Sequence, residues 1–374
     1  MNYSRKIFHH KNLFTIGVEE EYMLCHPDTG DLIDRADEII HVLDKDIKSR
    51  YSYELILSEI EVNTSICNSV NEVMKEVAYL RNKTKELGGK LGFKIGISGT
   101  HPSAQCKNQC FVQNDSYKWV AGQLGYFAKR NITFAMHVHI AVKDENYAIS
   151  ISNALRQWIA PLLALSTNSP FFEGENTGMR SSRTMQFGTF PRTNIPIRFN
   201  SFNEYKALVD NYLLSDTISK PGHIWWKIRP HLDFGTIEFR ICDVQRSLKN
   251  VEMITAISQA LVYQASHDLE NKCLSDNFNM EYLNDGLWKA SRFPLNAKII
   301  DPETQILSTL SLQIKKMKDY IQGALKFWNN EHINEYIDLI LQNGTEADLQ
   351  LKIYQKSEIQ GLKQYLMESV EYKY

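Results

Sequence analysis

The chain has 374 residues, of which 43% are hydrophobic and 23% are charged, and its formal net charge is −2. This composition is typical of a globular protein, and the small net charge excludes a broad basic surface for nucleic acid or a polybasic membrane anchor. No run reaches the roughly 20 apolar residues of a membrane-spanning helix, and the first residues, MNYSRKIFHHKNLF, lack the apolar core of a secretion signal. Six cysteines in a chain of this length do not form a disulfide framework, so we expect a reduced, cytoplasmic protein.

The first predicted strand, FTIGVEEEYML (14–24), carries three consecutive glutamates in an otherwise apolar run. Alternate residues of a strand point to the same face, so Glu19 and Glu21 share one face, and the apolar Ile16 points to the other. Glu20 points away from its two neighbours and is interpreted as structural. Buried charge is costly unless it is balanced, so the paired glutamates predict a cation on their side of the strand.

Three later segments repeat this design, with apolar side chains on one face and ionisable side chains on the other. The ionisable pairs are Glu59 and Glu61 in SEIEVNT (58–64), His137 and His139 in FAMHVHIAV (134–142), and Glu238 and Arg240 in GTIEFRICD (235–243). A single pair such as Glu59 and Glu61 is better explained by a solvent-exposed sheet face, and the two histidines alone fit an exposed or structural role as well as ligation. Four such strands in one chain favour a shared site.

A β-hairpin is predicted where two alternating runs flank the turn LDFG in IWWKIRPHLDFGTIEFRICD. Its first arm places Lys227, Arg229 and His231 in one row, which we expect to face the same way as Glu238 and Arg240. The adjacent Trp225 and Trp226 suit either core packing or stacking on a nucleobase, and core packing is the more common role of such residues.

Helices are predicted around these strands. NSVNEVMKEVAYLRNKTKELGGK (68–90) has apolar residues at helical spacing, a cap at Asn68 or Ser69, and a stop at Gly88–Gly89. Two further helices, at 146–166 and 251–270, are too apolar to lie open to water, and the segments after residue 300 are helical.

These elements predict an α+β fold, with a mainly antiparallel sheet and helices packed on one of its faces. We interpret residues 1–374 as a single catalytic domain, in which 14–246 carry the motifs and 250–374 form a helical completion. The C-x₃-C pair Cys106 and Cys110 has no second Cys/His pair nearby, so its spacing is only weak support for zinc.

If the four strands are neighbours, one face of the sheet gathers their carboxylates and histidines. Same-face residues lie roughly 6.5–7 Å apart, a spacing that suits ligation of separate or bridged cations. Oxygen-rich clusters bind Mg²⁺, and a histidine ligand favours tolerance of Mn²⁺. Protein-bound Mg²⁺ commonly completes its coordination with water and substrate phosphates, so the cluster indicates a nucleotide substrate.

Taken in order, five segments resemble the carboxylate–amine ligase family related to type 2 glutamate–cysteine ligases. They are FTIGVEEEYML, SEIEVNTSIC, FAMHVHIAV, NSPFFEGENTGMRSSR and WWKIRPHLDFGTIEFRICDVQ, which together cover residues 14–246. The resemblance implies a fold similar to the catalytic domain of glutamine synthetase, in which a curved antiparallel sheet forms a funnel. ATP and divalent metals would bind on its carboxylate-lined face.

The resemblance also implies roles for individual residues. The metal ligands would be Glu19, Glu21, Glu61, His137 and Glu238. Arg240 and Arg229 are the candidate catalytic cations, because guanidinium groups bind carboxylate or phosphate bidentately. The candidates for binding substrate or ATP are Arg180, Arg183, Glu59, Glu54 and His139, with the two arginines on the predicted loop SPFFEGENTGMRSSR (169–183).

The expected activity is ATP-dependent joining of a carboxylate to an amine through an acyl phosphate, similar to glutamate–cysteine ligase, with Mg²⁺ or Mn²⁺ as cofactor. The partners would be small-molecule acids and amines, with neither nucleic acid nor membrane involved, and a homodimer is compatible with this reading. Two alternatives stay open at this point. A metal-dependent hydrolase would use the same cluster to activate water, and a non-catalytic binder would keep the scaffold alone.

Overall fold

The computed structural model describes residues 12–374. The expectation that the first 14 residues lack a secretion signal therefore falls mostly outside the described residues. The strands are β1 (Ile16–Cys25), β2 (Tyr51–Tyr53), β3 (Glu59–Asn63), β4 (Lys94–Gly96), β5 (Met136–Ala141), β6 (Phe171–Phe172), β7 (Glu175–Asn176), β8 (Ile228–His231), β9 (Thr236–Phe239), β10 (Lys298–Ile300) and β11 (Leu307–Thr309).

The helices connect and follow these strands. They are α1 (Ala36–Val42), α2 (Lys45–Lys48), α3 (Val70–Leu91), α4 (Asp115–Leu124), α5 (Glu145–Leu155), α6 (Ile159–Ser166), α7 (Ser182–Phe187), α8 (Phe202–Leu214), α9 (Leu248–Glu270), α10 (Met280–Arg292), α11 (Leu310–Tyr320), α12 (Gln322–Phe327), α13 (Ile333–Asn343) and α14 (Glu346–Glu368). Within residues 12–374, no helix combines the length and the apolar character needed to cross a bilayer.

A seven-stranded antiparallel sheet organises the chain, in the order β2-β3-β1-β5-β9-β8, with β4 also paired to β1. All four predicted strands with ionisable pairs belong to it, and the predicted hairpin forms from β8 and β9. Gly235 in its turn has φ 66°, a left-handed conformation that glycine adopts without strain. Pro230 is tolerated in β8 because that strand lies at the sheet edge.

Helices cover the apolar face of the sheet, as the alternation predicts. Ile16, Val18, Val138 and Ile237 are buried in a large core that also includes residues of α5, α6 and α9. A second core surrounds Tyr22 with residues of α3 and α14. The predicted α+β architecture is therefore confirmed, while the single-domain organisation of residues 1–374 stays a prediction.

Helix α3 begins as predicted but ends later. Ser69 caps it by accepting a hydrogen bond from the Glu72 N–H at 3.2 Å. Gly88 lies inside the helix, where a Cβ atom would come within 2.4 Å of the Phe93 carbonyl oxygen, so close packing rather than termination explains this glycine. Gly92, with φ 73°, provides the left-handed C-cap.

The predicted helix at 146–166 is interrupted between α5 and α6 by a 3₁₀ turn, Arg156–Trp158. Pro161 has no N–H to donate, and in a regular α-helix its ring would clash with the carbonyl four residues earlier. The tighter 3₁₀ turn before it is consistent with these constraints. The buried Arg156 satisfies main-chain carbonyls at Asn153, Pro196 and Asp276, which fixes the interruption.

Two other segments differ from the sequence-based expectation. The predicted loop at 169–183 contains the short hairpin β6–β7, and its end enters α7, so Arg183 lies on a helix whose cap is Ser181. Leu307–Thr309, expected to be helical, pairs with β10 in a small second sheet. Three-residue strands have too short a periodic pattern to separate them from an adjoining helix.

Candidate active site

Strand register brings the ionisable rows together on one face of the sheet, opposite the apolar face that packs against α5, α6 and α9. Glu19 pairs with His137 across β1 and β5, and Glu21 pairs with Glu61 across β1 and β3. Across β5 and β9, His139 pairs with Glu238. The four segments predicted from alternation are therefore neighbours, and their polar faces form one continuous surface.

Two groups of potential metal ligands lie on this surface. One consists of Glu19, His137 and Glu238, and the other of Glu21, Glu61 and His137. Within each group, the ligand atoms all lie within 4.8 Å of one another. These are the five residues for which the sequence predicted metal ligation, and the structure brings all five together.

The two histidines bracket Glu19. His137 Nδ1 lies 2.8 Å from Glu19 Oε2, and His139 Nε2 lies 3.1 Å from Glu19 Oε1. His139 Nε2 also lies 3.8 Å from Glu238 Oε1, while its Nδ1 is 2.9 Å from the Thr236 hydroxyl oxygen. His139, predicted as a substrate or ATP ligand, therefore borders the first group of metal ligands.

Glu238 is held by the two arginines predicted to be catalytic. Arg229 donates from Nε to Glu238 Oε2 at 2.7 Å, and Arg240 donates from Nη1 to Glu238 Oε1. Arg229 also donates to the carbonyls of Gly222 and Ile224, so most of its donors are already used. Arg240 Nε has no hydrogen-bond partner among residues 12–374, which leaves Arg240 the freer cation for a ligand.

The two arginines from segment 169–183 occupy different environments. Arg183 is buried, donates to the carbonyls of Ile241 and Arg240 at 3.0 Å each, and lines a cavity beside the carboxylates. Arg180 instead donates from Nε to Asp348 of α14 at 2.7 Å and is not part of that cavity wall. Its predicted role in binding substrate or ATP stays a prediction.

The carboxylates divide into two electrostatic environments. Burial opposes ionisation of Glu19 and Glu238, but the histidines beside Glu19 and the arginines beside Glu238 hold the pKa of each well below its usual range. At β3 the balance is reversed, because burial and neighbouring glutamates raise the pKa of Glu61 to about 8 and that of Glu59 well above its usual range. For Glu59 the attraction of Arg183 opposes this shift but does not outweigh it.

Glu54, a weaker candidate from sequence, belongs to the same acidic half. It follows β2 directly, and burial together with Glu61, Glu21 and Glu59 raises its pKa. It lines the cavity with Glu21. The strand pattern failed to place Glu54 because β2 is only three residues long.

A small cavity of about 70 Å³ lies between the acidic cluster and the arginines. Its wall includes residues that the sequence did not single out: Tyr117, Val120, Asn131, Thr133, Phe187 and Phe190. Tyr117 reaches the site from α4 and donates to the Tyr53 carbonyl at 2.6 Å. Such residues come from helices and loops without a periodic polar pattern, so their sequences carry no signal of the site.

The adjacent tryptophans have different roles. Trp226 is buried against Phe199 and Tyr205, which confirms core packing. Trp225 is only half-buried and lines the cavity beside Phe190. Stacking of a nucleobase on Trp225 stays a prediction.

The donor set fits Mg²⁺ or Mn²⁺. Both ligand groups offer carboxylate oxygens with one imidazole, the chemistry these hard and borderline cations accept. Glu59 Oε1 and His137 Nε2 are buried without hydrogen-bond partners in the part of the chain that the structure describes. A cation would satisfy such atoms and balance the acidic half of the cluster. Cys106 and Cys110 are free thiols outside both groups.

Comparisons with known proteins agree with the sheet and the site. The model of glutamate–cysteine ligase family 2 matches residues 15–365. A protein of Solibacter usitatus, provisionally named glutamate–cysteine ligase 2, is 32% identical over 360 residues, which cover 96% of this chain and 94% of the relative. A protein of the same provisional name from Herpetosiphon aurantiacus is 32% identical over 345 residues, covering 92% of this chain and 89% of its own.

Two solved structures share the fold at low sequence identity. Glutamate–cysteine ligase from Francisella tularensis, in complex with AMP, has a TM-score of 0.73 at 12% identity, covering 97% of this chain and 88% of that one. A bifunctional glutathione synthetase from Pasteurella multocida has a TM-score of 0.62 at 14% identity, covering 96% of this chain and 53% of that one.

The fold and its carboxylate-lined face thus define a protein of the ATP-dependent carbon–nitrogen ligase class. The chain belongs to glutamate–cysteine ligase family 2. The resemblance drawn from five ordered segments is confirmed, and it extends into the helical tail that the sequence motifs did not cover.

Proposed function

We propose that the protein joins the carboxylate of a small acid to an amine in an ATP- and Mg²⁺-dependent reaction, with glutamate and cysteine as the first substrates to test. The observation that supports this most directly is the pair of ligand groups sharing His137, set against the cations Arg183 and Arg240 of the cavity wall. A carboxylate-rich face with cations opposite suits the transfer of a phosphoryl group from a nucleotide to an acid.

The reaction follows from the poor reactivity of carboxylates toward amines. Transfer of the γ-phosphoryl group of ATP to the acid would give an acyl phosphate and ADP. Attack by the amine would then form the amide and release phosphate, with loss of a proton from nitrogen. Divalent metal ions, when bound, would neutralise charge on the phosphates and align the in-line transfer.

The side chains of this protein would divide the work by charge. Glu19, Glu21, Glu61, His137 and Glu238 would hold the metal ions. Arg240 has an unused Nε donor and would stabilise negative charge that develops on the transferring group. Arg229 holds the Glu238 carboxylate in place and so positions a ligand.

ADP release by the purified protein tests the proposal. With ATP, Mg²⁺ or Mn²⁺, glutamate and a panel of amines that includes cysteine, we expect ADP to form only when acid and amine are both present. Mass spectrometry should detect the corresponding amide. Glu19→Gln should lower turnover by at least about 100-fold, because Glu19 borders both histidines of the site.

Glu86→Gln is the matched control, because Glu86 is an exposed glutamate of α3 that pairs with the neighbouring Lys83. It should keep wild-type turnover. Metal-dependent ATP binding without turnover on glutamate would retain the ligase class and reject this acid. Cleavage of an amide or phosphoester without ATP would replace the ligase by the hydrolase, which no observation now favours.

A further inference from the structure

Lys227 is a buried cation on the ligand-bearing face of the sheet. It immediately precedes β8 and shares the row of Arg229, and its carbonyl accepts a hydrogen bond from the Arg240 N–H at 2.9 Å. Its side chain is therefore directed to the same face as the carboxylates rather than into the helix-covered core. The residue is only 2% exposed.

The Lys227 ammonium has no hydrogen-bond partner among residues 12–374. Nζ lies 5.2 Å from the centre of the Phe187 ring, a cation–π contact that replaces only part of the lost hydration. A buried charged group without hydrogen bonds is costly, so an unpaired ammonium in a native structure calls for an explanation such as a bound ion or a catalytic role.

The charges around Lys227 are predominantly positive. Burial, followed by Arg183 and Arg240, lowers the pKa of Lys227 to about 7, and Asp243 opposes this shift. The Asp243 carboxylate is already satisfied, because it accepts hydrogen bonds from the Asn168 N–H and from two serine hydroxyls. The group formed by Lys227, Arg183 and Arg240 therefore has the electrostatics of an anion site.

The neighbouring cavity gives an anion a place beside these cations. Its wall includes Arg183, Arg240 and Phe187, so an anion held there would lie close to both guanidinium groups. The flexible four-carbon stem of lysine lets the ammonium turn from the Phe187 ring toward an anion held there.

We propose that Lys227, with Arg183 and Arg240, binds a second carboxylate of the acid substrate, distinct from the carboxylate that reacts. Lys227 is then a specificity-determining residue that selects dicarboxylic acids over monocarboxylic ones. This proposal rests on the proposed function, because it assigns one group of the substrate of that same site.

Calorimetric titration of matched acids tests the role of Lys227. The wild type, saturated with Mg²⁺ and the non-hydrolysable ATP analogue AMP-PNP, is titrated with glutarate, L-glutamate, butyrate and 4-aminobutyrate. We expect glutarate to bind at least about tenfold more tightly than butyrate, and L-glutamate at least about tenfold more tightly than 4-aminobutyrate. This factor corresponds to the one charged hydrogen bond that the monocarboxylate cannot form. Lys227→Met and Lys227→Gln should abolish that preference, whereas Lys298→Met, at an exposed strand lysine, should keep it.

Different outcomes separate this inference from the proposed function. Failure of the wild type to bind AMP-PNP with metal would reject the ligase activity itself. An unchanged preference in both Lys227 variants, or no preference in the wild type, would overturn the selectivity role while leaving the ligase activity in place. Weaker binding of AMP-PNP with unchanged acid binding would instead assign Lys227 to a nucleotide phosphate and equally overturn the proposal.

Thermal unfolding checks that the variants fold. Methionine has a similar length and removes an unpaired buried charge, so Lys227→Met should unfold at or above the wild-type temperature. The glutamine variant keeps a polar end at the same position and tests whether the positive charge itself is required.

Discussion

Individual glutamates of the candidate site have pKa values shifted in opposite directions, although they lie on adjacent strands. Glu19 and Glu238 are stabilised as carboxylates by histidines and arginines. Glu61 faces Glu21 in register and has Asn63 as a polar partner, at 3.0 Å. One side of the site is therefore ready to ligate, whereas the other must lose protons before it binds a cation.

The raised pKa of Glu61 predicts a pH-dependent penalty on folding. A carboxyl whose pKa is about 8 when folded and near 4.5 when unfolded stabilises the native state fully below pH 4.5. This contribution is lost as pH rises through 8. Glu61→Gln should therefore raise the unfolding temperature of the metal-free protein relative to the wild type. The gain should increase between pH 5 and pH 8, reaching roughly 2 °C or more.

Thermal unfolding of both proteins in EDTA at several pH values measures this difference. Comparing variant with wild type cancels the titration of histidines and of Lys227, which both proteins share. A gain that is constant over the pH range would contradict the raised pKa.

At the scale of elements, a buried ion pair joins helix α3 to strand β1. Arg81 donates to both carboxylate oxygens of Glu20, at 2.5 and 3.0 Å, and also to the carbonyls of Gln245, Arg246 and Glu371. Glu20, interpreted from sequence as structural, thus lies on the helix-covered face. The Arg81 guanidinium that pairs with it connects α3 to three segments that are distant in sequence. Glu20 takes no part in the ligand groups.

Removing Arg81 alone should destabilise the protein strongly. Arg81→Met leaves the buried Glu20 carboxylate unpaired, so we expect a loss of about 3–5 kcal/mol in the free energy of unfolding. The double variant Glu20→Gln/Arg81→Met should recover part of that loss, because no buried charge then remains without a partner. Denaturant unfolding measures both values.

Arg35→Met provides the control for this experiment, because the Arg35–Glu38 pair is exposed and such pairs contribute little. Equal stability of Arg81→Met and the wild type would show that the pair does not hold α3 on the sheet.

At the scale of the whole molecule, the metal ligands exist as a site only in the folded chain, because they come from strands between residues 16 and 239. A cation that binds the native state and not the unfolded one stabilises the whole protein by mass action. Mn²⁺ or Mg²⁺ at about 100 times its dissociation constant should therefore add about 2.7 kcal/mol to the free energy of unfolding.

Scanning calorimetry with and without the metal tests this prediction, and added EDTA should reverse the shift. Glu21→Gln should reduce the shift, because Glu21 belongs to the second ligand group. A wild-type unfolding temperature that does not respond to either cation would reject the metal site.

The helical tail also contributes to the whole molecule by supporting the segment beside the cavity. Gln350 of α14 donates to the Asn168 carbonyl at 3.1 Å, and Asp348 accepts from Arg180 at 2.7 Å. Arg246 pairs with Glu346 at the start of the same helix. These contacts join α14, which the family match covers as far as residue 365, to the segment beside the cavity, although the tail carries no ligand of the candidate site.

The sequence by itself determined the strands that carry the site and the face on which each side chain lies. Period-two alternation is a local property, so the same-face pairs Glu19/Glu21, Glu59/Glu61, His137/His139 and Glu238/Arg240 were identifiable without knowing which strands pair. The family resemblance then implied which of these residues would be metal ligands: Glu19, Glu21, Glu61, His137 and Glu238. Their order along the chain also sufficed to indicate the family. The start of α3 was equally local, because Ser69 and the apolar spacing specify it.

Only the tertiary structure decided how these rows meet and what surrounds them. Register between distant strands placed His137 between the two ligand groups, and packing brought Tyr117 and Phe187 to the cavity wall. The later end of α3 depends on contact of Gly88 with Phe93. The environment of Lys227 likewise depends on Arg183, which lies 44 positions earlier in the sequence. Burial and electrostatics are sums over neighbours in space, so a sequence pattern confined to one segment does not contain them.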